Sequence, residues 1–415
     1  MMHMPPAKPE FWPRLAAIAW SIIAVLAIGR AALISHPRHC GCYHTYAEAG
    51  RAWVAGENLY APRAGLDVYR YSPLVAVFFA PLAALPDMLG SALLRALNLA
   101  LFLGGLYAWS RAGLPVRLAP PQRAAMFLLV VPLAARSLVD IQMNGATISM
   151  LLLAVTALAE EKPGTAAAWL GLACMVKIYV LALALVLVLV DPRRMLGRLV
   201  AVLLICAALP FLFQSPHYVR EQYELWVRWG LNNRQSVGPE QFQDLRVLLQ
   251  ACGLRVPAGV YFAVQLAGGG AIALLCLGER LAQVPPRRLC TSALVLCCGW
   301  MTVLGPATEA TTYILLAPAV AWAVLECYME KLSIWHKILS LTGFGIFTVS
   351  QIALWFPHGS ELHRFVPYTV AALLVIGSLA ARDLGRLWGL ARKPGVTTKS
   401  RSESSERGTN HENPK

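Results

Sequence analysis

Long apolar stretches alternate with short polar ones along almost the whole chain. The first, Leu15 to Ile34, holds the roughly 20 apolar residues that a helix needs to cross a hydrocarbon core of about 30 Å. The Ser-His-Pro-Arg sequence after it lacks the small-residue cleavage site of a signal peptide, which predicts an uncleaved first span. Further apolar runs lie at about 73–87, 90–109, 124–140, 146–160, 165–190, 197–213, 259–278, 289–304, 310–327, 337–355 and 365–381. The pattern predicts an all-α polytopic membrane protein with about twelve spans, or ten to eleven if the shortest runs do not cross.

Composition and charge agree with this fold class. Of the 415 residues 57% are hydrophobic and 14% are charged, against about 25% charged in a soluble domain. The net charge of +14 arises partly from short basic stretches at 191–198 and 279–288 and from the C-terminal region 382–415. Basic loops remain in the cytoplasm, so we expect these stretches and the N-terminus there and no nucleic-acid partner. The long loops 36–72 and 214–258 then lie on the outer face.

One loop does not fit this orientation. Arg111, Arg117 and Arg123 would lie outside if every apolar run crossed the membrane. A re-entrant segment at 73–87, together with a break of the run 165–190 near Lys177, would place that loop inside.

The chain divides into two parts by composition. Residues 1–391 hold all the apolar runs and form the predicted transmembrane domain. The tail 392–415 is rich in Ser, Thr, Glu, Lys and Arg and lacks the apolar residues needed to bury a core, so we expect a disordered cytoplasmic end.

The ten cysteines do not form the pattern of a disulfide framework, because most lie in or beside apolar runs. Cys40-Gly41-Cys42 is the exception, with histidines at 36, 39 and 44 nearby. Zinc would need two further ligands at suitable spacing, and we expect unpaired thiols or a local bridge, and no metal.

The first outer loop is unusually rich in aromatic and charged residues. Tyr43, Tyr46 and Trp53 recur at helical spacing over 43–56, and Gly56 is a typical helix end. This amphipathic helix could lie at the membrane interface as an anchor, or it could cover an active site.

Three more polar positions lie at the borders of apolar runs or within them. Gln142 and Asn144 could bind sugar hydroxyls or merely cap the following helix. Lys177 inside its run indicates a phosphate-facing role or a helix break, since a cation there is costly. Glu309 could be a site carboxylate or an ordinary loop carboxylate at a helix start. The motifs of soluble nucleotide, zinc-protease and serine-hydrolase chemistry are absent.

Several short motifs, taken in order, resemble those of glycosyltransferase family 87. These are polytopic mannosyltransferases of the GT-C superfamily, which use polyprenyl-phosphate mannose. The matching positions are Tyr43, Tyr46, Gly56, Asn58 and Tyr60 in the first loop, Tyr71-Ser72-Pro73 with Pro81, Gln142 and Asn144 of a G-Q-x-N motif, Gly171 and Lys177 with Pro192-Arg193-Arg194, and a looser Asn233, Ser236 and Gly238. The resemblance implies a GT-C-like bundle with interfacial helices in the first outer loop.

The chain departs from the family pattern where the chemistry matters most. Cys42 aligns with the loop carboxylate that serves as the presumed base in GT-C enzymes, and Ile141 replaces the glycine of G-Q-x-N. A carboxylate that takes the proton of the acceptor hydroxyl is worth roughly 10²–10⁴-fold in rate. The candidates are Glu309, Asp67 and Glu48, and of these Glu309 and Asp67 are favoured.

Cations are needed at the lipid phosphate, where arginine binds in bidentate fashion. Arg51, Arg63, Arg70, Arg228 and Arg234 are available in the outer loops, and Lys177 if its segment opens outward. The residues expected to bind substrate are Tyr43, Tyr46, Arg70, Tyr71, Gln142, Asn144 and Lys177.

The resulting hypothesis is an inverting hexosyltransferase, with mannose as the expected sugar, at the periplasmic face of a bacterial inner membrane. A polyprenyl-phosphate sugar is the donor and a glycan or glycolipid is the acceptor; no cofactor is expected. Two alternatives remain at this point. The chain could be a multi-pass transporter, although the repeat between halves that transporters usually show is not visible. It could also be a relative that has lost catalysis and still binds sugar or lipid.

Overall fold

The computed structural model describes residues 10–33, 42–232, 242–305, 308–356 and 358–391. Within those ranges the chain is helical and contains one isolated β-bridge and no longer strand. The helices are α1 Phe11–Gly29, α2 Tyr43–Ala55, α3 Pro73–Ala83, α4 Asp87–Ala108, α5 Pro120–Leu129, α6 Val131–Val139, α7 Asn144–Ala159, α8 Pro163–Val176, α9 Leu181–Val190, α10 Pro192–Ala208, α11 Pro216–Asn232, α12 Leu245–Ala251, α13 Ala258–Leu281, α14 Pro286–Val303, α15 Ala317–Met329, α16 Ile334–Ala353 and α17 Pro367–Ala391.

Five helical segments are long and apolar enough to cross a membrane. They are Phe11–Leu33, Asp87–Gly113, Pro192–Leu212, Ala258–Leu281 and Ala310–Met329. The pair α5 and α6 adds a sixth if it is one span bent by 55°. The predicted class of all-α polytopic membrane protein is confirmed, while the number of about twelve spans stays a prediction.

Of the two irregularities expected around the arginine-rich loop, the structure shows the break near Lys177, while the re-entrant course of the segment at 73–87 stays a prediction. Helix α3 has 11 residues, or about 16 Å, which is half of the thickness of a hydrocarbon core. Helix α8 ends at Val176, and Lys177 is extended with φ −142° and ψ 109° before the chain turns into α9. The break at Lys177 is confirmed, and the cytoplasmic position of the loop stays a prediction.

Helix α2 begins and ends where the pattern places it, but its aromatic face does not face the membrane. Gly56 ends it in the left-handed region, with φ 71°. The ring of Tyr46 stacks on Phe79 of α3 at 4.7 Å, and Trp53 lies 5.5 Å from the ring of Tyr218. The anchor interpretation is wrong for this face, because its aromatic residues are buried against protein.

A group of tyrosines fixes the end of the first outer loop above α3. Tyr60 donates a hydrogen bond of 2.8 Å to the carbonyl oxygen of Tyr71, and Tyr69 donates one of 3.1 Å to that of Ser72. Burial raises the pKa of Tyr60 and of Tyr69 well above the ordinary value, so both remain donors. The amide of Ser72 in turn bonds the carbonyl oxygen of Met175 at 3.3 Å, which joins the loop to the end of α8.

Some predictions fall outside the described residues. These are the tail 392–415, the possible ligands His36, His39 and Cys40, the loose motif at Asn233, Ser236 and Gly238, and Arg234. Across the part of the chain that the structure describes, no group of three or more His, Cys, Asp and Glu side chains could hold a metal ion.

Candidate active site

Four separate segments, together with Trp226 of α11, meet around a cavity of about 190 Å³. This volume is more than ten times the roughly 10–15 Å³ that one water molecule requires. The segments are the first outer loop with the start of α2, the turn before α7, the break between α8 and α9, and the turn after α14. Eight predicted site residues line it: Tyr46, Asp67, Arg70, Tyr71, Gln142, Asn144, Lys177 and Glu309.

Glu309 is held in this cavity by a neighbouring amide. Gln142 donates from Nε2 to Oε2 of Glu309 at 3.3 Å. The side-chain oxygen of Gln142, Oε1, accepts from Nδ2 of Asn144 at 2.7 Å and from Oγ1 of Thr311 at 2.9 Å. Two donors on the oxygen fix the orientation of the Gln142 amide, so that its NH₂ group faces the carboxylate.

The backbone places Glu309 as well. Phe242 pairs with Glu309 in the isolated β-bridge, and the amide of Gln243 bonds the carbonyl oxygen of Thr308 at 2.6 Å. The second long outer loop is thereby joined to the turn that carries the carboxylate.

The turn before α7 has an unusual conformation that positions Gln142. Ile141 has φ 59°, in the left-handed region that glycine tolerates and β-branched residues rarely adopt. The G-Q-x-N motif has glycine at this position. The left-handed backbone conformation explains why, because glycine adopts it without a steric cost.

The turn does not serve as a cap. Helix α7 starts at Asn144 after Met143 and has no side-chain cap. The capping interpretation of Gln142 and Asn144 is therefore wrong. Oδ1 of Asn144 is buried and has no hydrogen-bond partner among the described residues, so an acceptor is left at the cavity wall.

The opposite wall of the cavity is cationic. Nζ of Lys177 lies 4.9 Å from the centre of the Tyr71 ring, a cation–π contact. Arg70 bonds Oδ1 of Asp67 at 3.1 Å, and its Nε is buried without a partner within the described ranges. Tyr71 also shares a hydrogen bond of 3.1 Å with Tyr46, which orients the ring under Lys177. The arrangement leaves donors and positive charge for an anion.

Cys42 occupies the position where the family pattern has a carboxylate, and it lines the cavity. It lies immediately before α2 and is a free thiol. Burial, followed by the negative charge of Glu309, raises the pKa of the Cys42 thiol to about 12. The thiol is therefore protonated at neutral pH and cannot take a proton from a hydroxyl.

Two predicted site residues lie away from the cavity. Tyr43 donates to the carbonyl oxygen of Leu82 at 3.3 Å, on the side of α2 that faces α3 and α4. Glu48 accepts from Nε of Arg63 at 3.1 Å and lies 3.6 Å from Arg51. Both side chains therefore contact the protein around the first outer loop. They lie on faces of α2 that do not line the cavity. We correct their assignment as cavity residues.

Other lining residues were not predicted. They are Cys42, Thr45, Val68, Val176, Ile178, Tyr179, Trp226, Met301, Thr308 and Thr312. Trp226 comes from α11, in the second outer loop, and only the amphipathic character of that helix could have indicated it. The OH of Tyr179 is buried without a partner among the described residues and adds a further unused polar group.

A sequence profile described as glycosyltransferase family 87 matches residues 69–306, more than half of the chain. The chain belongs to glycosyltransferase family 87. The resemblance inferred from the motifs is confirmed, and the protein is a membrane glycosyltransferase. The matched region of this family 87 protein includes Tyr71, Gln142, Asn144 and Lys177, whereas Tyr46 and Glu309 lie outside it. No curated protein matches the chain.

Proposed function

We propose that the protein transfers a hexose, with mannose as the expected sugar, from a polyprenyl-phosphate donor to a hydroxyl of a glycan or glycolipid. One observation carries this proposal. A carboxylate held by an amide, Glu309, shares a single cavity with a lysine and an arginine, Lys177 and Arg70. Transfer from a lipid phosphate requires those two features, a proton acceptor and an anion site.

Lys177 and Arg70 are the partners of the donor phosphate in this proposal. Among the described residues, no carboxylate lies within ion-pair distance of Lys177, and its ammonium lies over the Tyr71 ring. Arg70 holds Asp67 through one of its terminal nitrogens and retains further donors. A phosphate that gains charge as the sugar leaves would be stabilised by both.

Glu309 is the proposed base. The acceptor hydroxyl attacks the anomeric carbon and gives its proton to Glu309, and the bond from that carbon to the phosphate oxygen breaks. The electron pair of that bond leaves with the polyprenyl phosphate. A single displacement of this kind inverts the configuration at the anomeric carbon.

Asp67, the other carboxylate that lines the cavity, is a weaker base candidate than Glu309. Its side chain is 59% exposed, and its Oδ1 already accepts from Arg70 and from the amide of Val68 at 2.8 Å. We assign to it the role of orienting Arg70. The amides of Gln142 and Asn144 and the indole of Trp226 would then contact the sugar.

The charge pattern supports a location for the cavity. We propose that it opens at the periplasmic face of an inner membrane, because the basic stretches at 191–198 and 279–288 are expected in the cytoplasm. Cys252 offers a native probe, because it is exposed in the second outer loop. A membrane-impermeant maleimide applied to intact spheroplasts should label the wild type and leave Cys252→Ser markedly less labelled. Equal labelling of the two proteins would contradict this orientation.

The activity is tested with purified full-length protein and polyprenyl-phosphate mannose, with a panel of short glycan and glycolipid acceptors. We expect acceptor-dependent release of polyprenyl phosphate and transfer of the sugar, but none from a nucleotide-linked mannose. Donor binding without any turnover across the panel would support the non-catalytic alternative. Failure to bind any polyprenyl-phosphate sugar would overturn the proposal.

A further inference from the structure

A second cavity, of about 470 Å³, lies at the other end of the helix bundle. It is formed by the end of α13, the loop 282–285, the start of α14 and the end of α17. Arg288 lines this cavity and Met301 lines the candidate active site. Both are on α14, and their separation of 13 positions corresponds to about 20 Å along the helix. The second cavity is therefore separate from the site described above.

A network of charged side chains lines one wall of this cavity and extends from that wall into the protein interior. Its acidic members are Glu279, Glu326, Glu330 and Asp383, and its basic members are Arg288, Arg382 and Arg386. Arg386 donates to Glu330 at 2.7 Å and to Asp383 at 3.4 Å. Arg382 bonds Glu326, which is almost fully buried. Each of these three carboxylates thus has at least one guanidinium partner.

Among the described residues, Glu279 is the carboxylate of this network without a guanidinium within ion-pair distance. Its side chain is 3% exposed, and Oε1 accepts from Oγ of Ser292 at 3.0 Å. Oε2 is buried without a hydrogen-bond partner among the residues that the structure describes. An unpaired buried charge is costly, and one cationic donor would satisfy it.

We propose that this cavity binds a phosphoethanolamine group, with its ammonium on Oε2 of Glu279 and its phosphate on Arg288 and Arg386. All three residues line the cavity, so that an unsatisfied anion and two cations face the same space. This pattern of charges is complementary to a zwitterion. An ammonium with N–H groups meets the need of Oε2 for a donor, whereas a trimethylated choline has none to offer.

The surroundings favour a lipid as the source of this group. Leu281 is 76% exposed and Leu390, which lines the cavity, is 48% exposed. Exposed apolar side chains beside a polar cavity suit a ligand that carries acyl chains. The headgroup of a phosphatidylethanolamine and free phosphoethanolamine share the recognised chemistry, and the experiment separates them.

The first test uses the wild-type protein alone. Full-length protein in detergent is titrated with phosphatidylethanolamine, with phosphatidylcholine of the same acyl chains and with soluble phosphoethanolamine, and bound lipid is measured by native mass spectrometry. We expect phosphatidylethanolamine to bind at least about tenfold more tightly than phosphatidylcholine, about 1.4 kcal/mol. Binding of soluble phosphoethanolamine would assign the site to the free compound, and binding of the lipid alone would assign it to the headgroup. Equal affinity for the two lipids would overturn the proposal.

A matched pair of variants then locates the preference. Glu279→Gln keeps the size of the side chain and removes the charge, and we expect it to lose the tenfold preference. Glu10→Gln, at a side chain that is 69% exposed near the start of α1, should keep it. If a proton on Glu279 already satisfies the carboxylate, the charge plays no part in binding and Glu279→Gln will keep the wild-type preference for phosphatidylethanolamine. That result rejects the site.

Discussion

Replacement of Glu309 by glutamine tests the proposed chemistry with little change to the structure. The glutamine carbonyl oxygen can still accept from Nε2 of Gln142, so the 3.3 Å contact and the orientation of the turn should persist. What the variant loses is the ability to take a proton. General base catalysis is worth roughly 10²–10⁴-fold, so turnover should fall by that factor, about 2.7–5.5 kcal/mol of activation free energy.

The kinetic pattern separates loss of a base from loss of binding. Glu309→Gln removes a negative charge from the cavity that holds Lys177, and with it the repulsion between this carboxylate and the donor phosphate. The KM for the donor should therefore be unchanged or lower while kcat falls. The assay is release of polyprenyl phosphate from polyprenyl-phosphate mannose at saturating acceptor, with donor binding measured separately.

Two further carboxylates serve as controls for that measurement. Asp67→Asn should raise the donor KM more than it lowers kcat, because its Oδ1 orients Arg70. Glu48→Gln should leave kcat near the wild-type value, since Glu48 bonds Arg63 away from the cavity. If Glu309→Gln retains more than a tenth of the wild-type turnover while Asp67→Asn falls a hundredfold, the base is Asp67 and our reasoning is refuted.

Three other changes give measurable outcomes. Lys177→Met should raise the donor KM by roughly tenfold or more, since a charge-assisted contact is worth about 1.5–3 kcal/mol, and an unchanged KM would remove Lys177 from the phosphate site. Because its pKa is raised to about 12, Cys42 stays a protonated thiol from pH 7 to 9 and should alkylate far more slowly than the exposed Cys252. Equal rates by mass spectrometry would contradict this protonation state. Gly50→Ala should destabilise the protein by about 1–3 kcal/mol in thermal unfolding, because its Cβ would lie 2.8 Å from the carbonyl carbon of Phe79, and an unaltered unfolding temperature would rule out that close contact.

The periodicity of the sequence predicted local structure well wherever one property of the side chains decides it. Burial in lipid requires about 20 apolar residues, and this alone identified the long helices and the membrane class. The cost of a cation in an apolar run indicated the break at Lys177. Gly56 at the end of a helical pattern predicted the left-handed C-cap that the structure has.

The same reasoning failed where a residue type is suited to two different environments, such as the membrane interface and the protein interior. The aromatic face of α2 has the pattern of an interfacial anchor, because Tyr and Trp suit both headgroups and protein interiors. Packing of Tyr46 on Phe79 decided between them. The position of Glu48 outside the cavity likewise could not be predicted from the sequence, since its ion pair with Arg63 depends on where the loop folds.

The sequence by itself determined the membrane class, the family and most of the polar residues of the candidate site. Only the tertiary structure decided that Glu309, Gln142 and Lys177 share one cavity, although more than 30 residues separate each from the next. It also showed that Cys42 faces that cavity as a neutral thiol. The reason is physical: hydropathy acts on each helix separately, whereas a site depends on contacts between helices far apart in the chain.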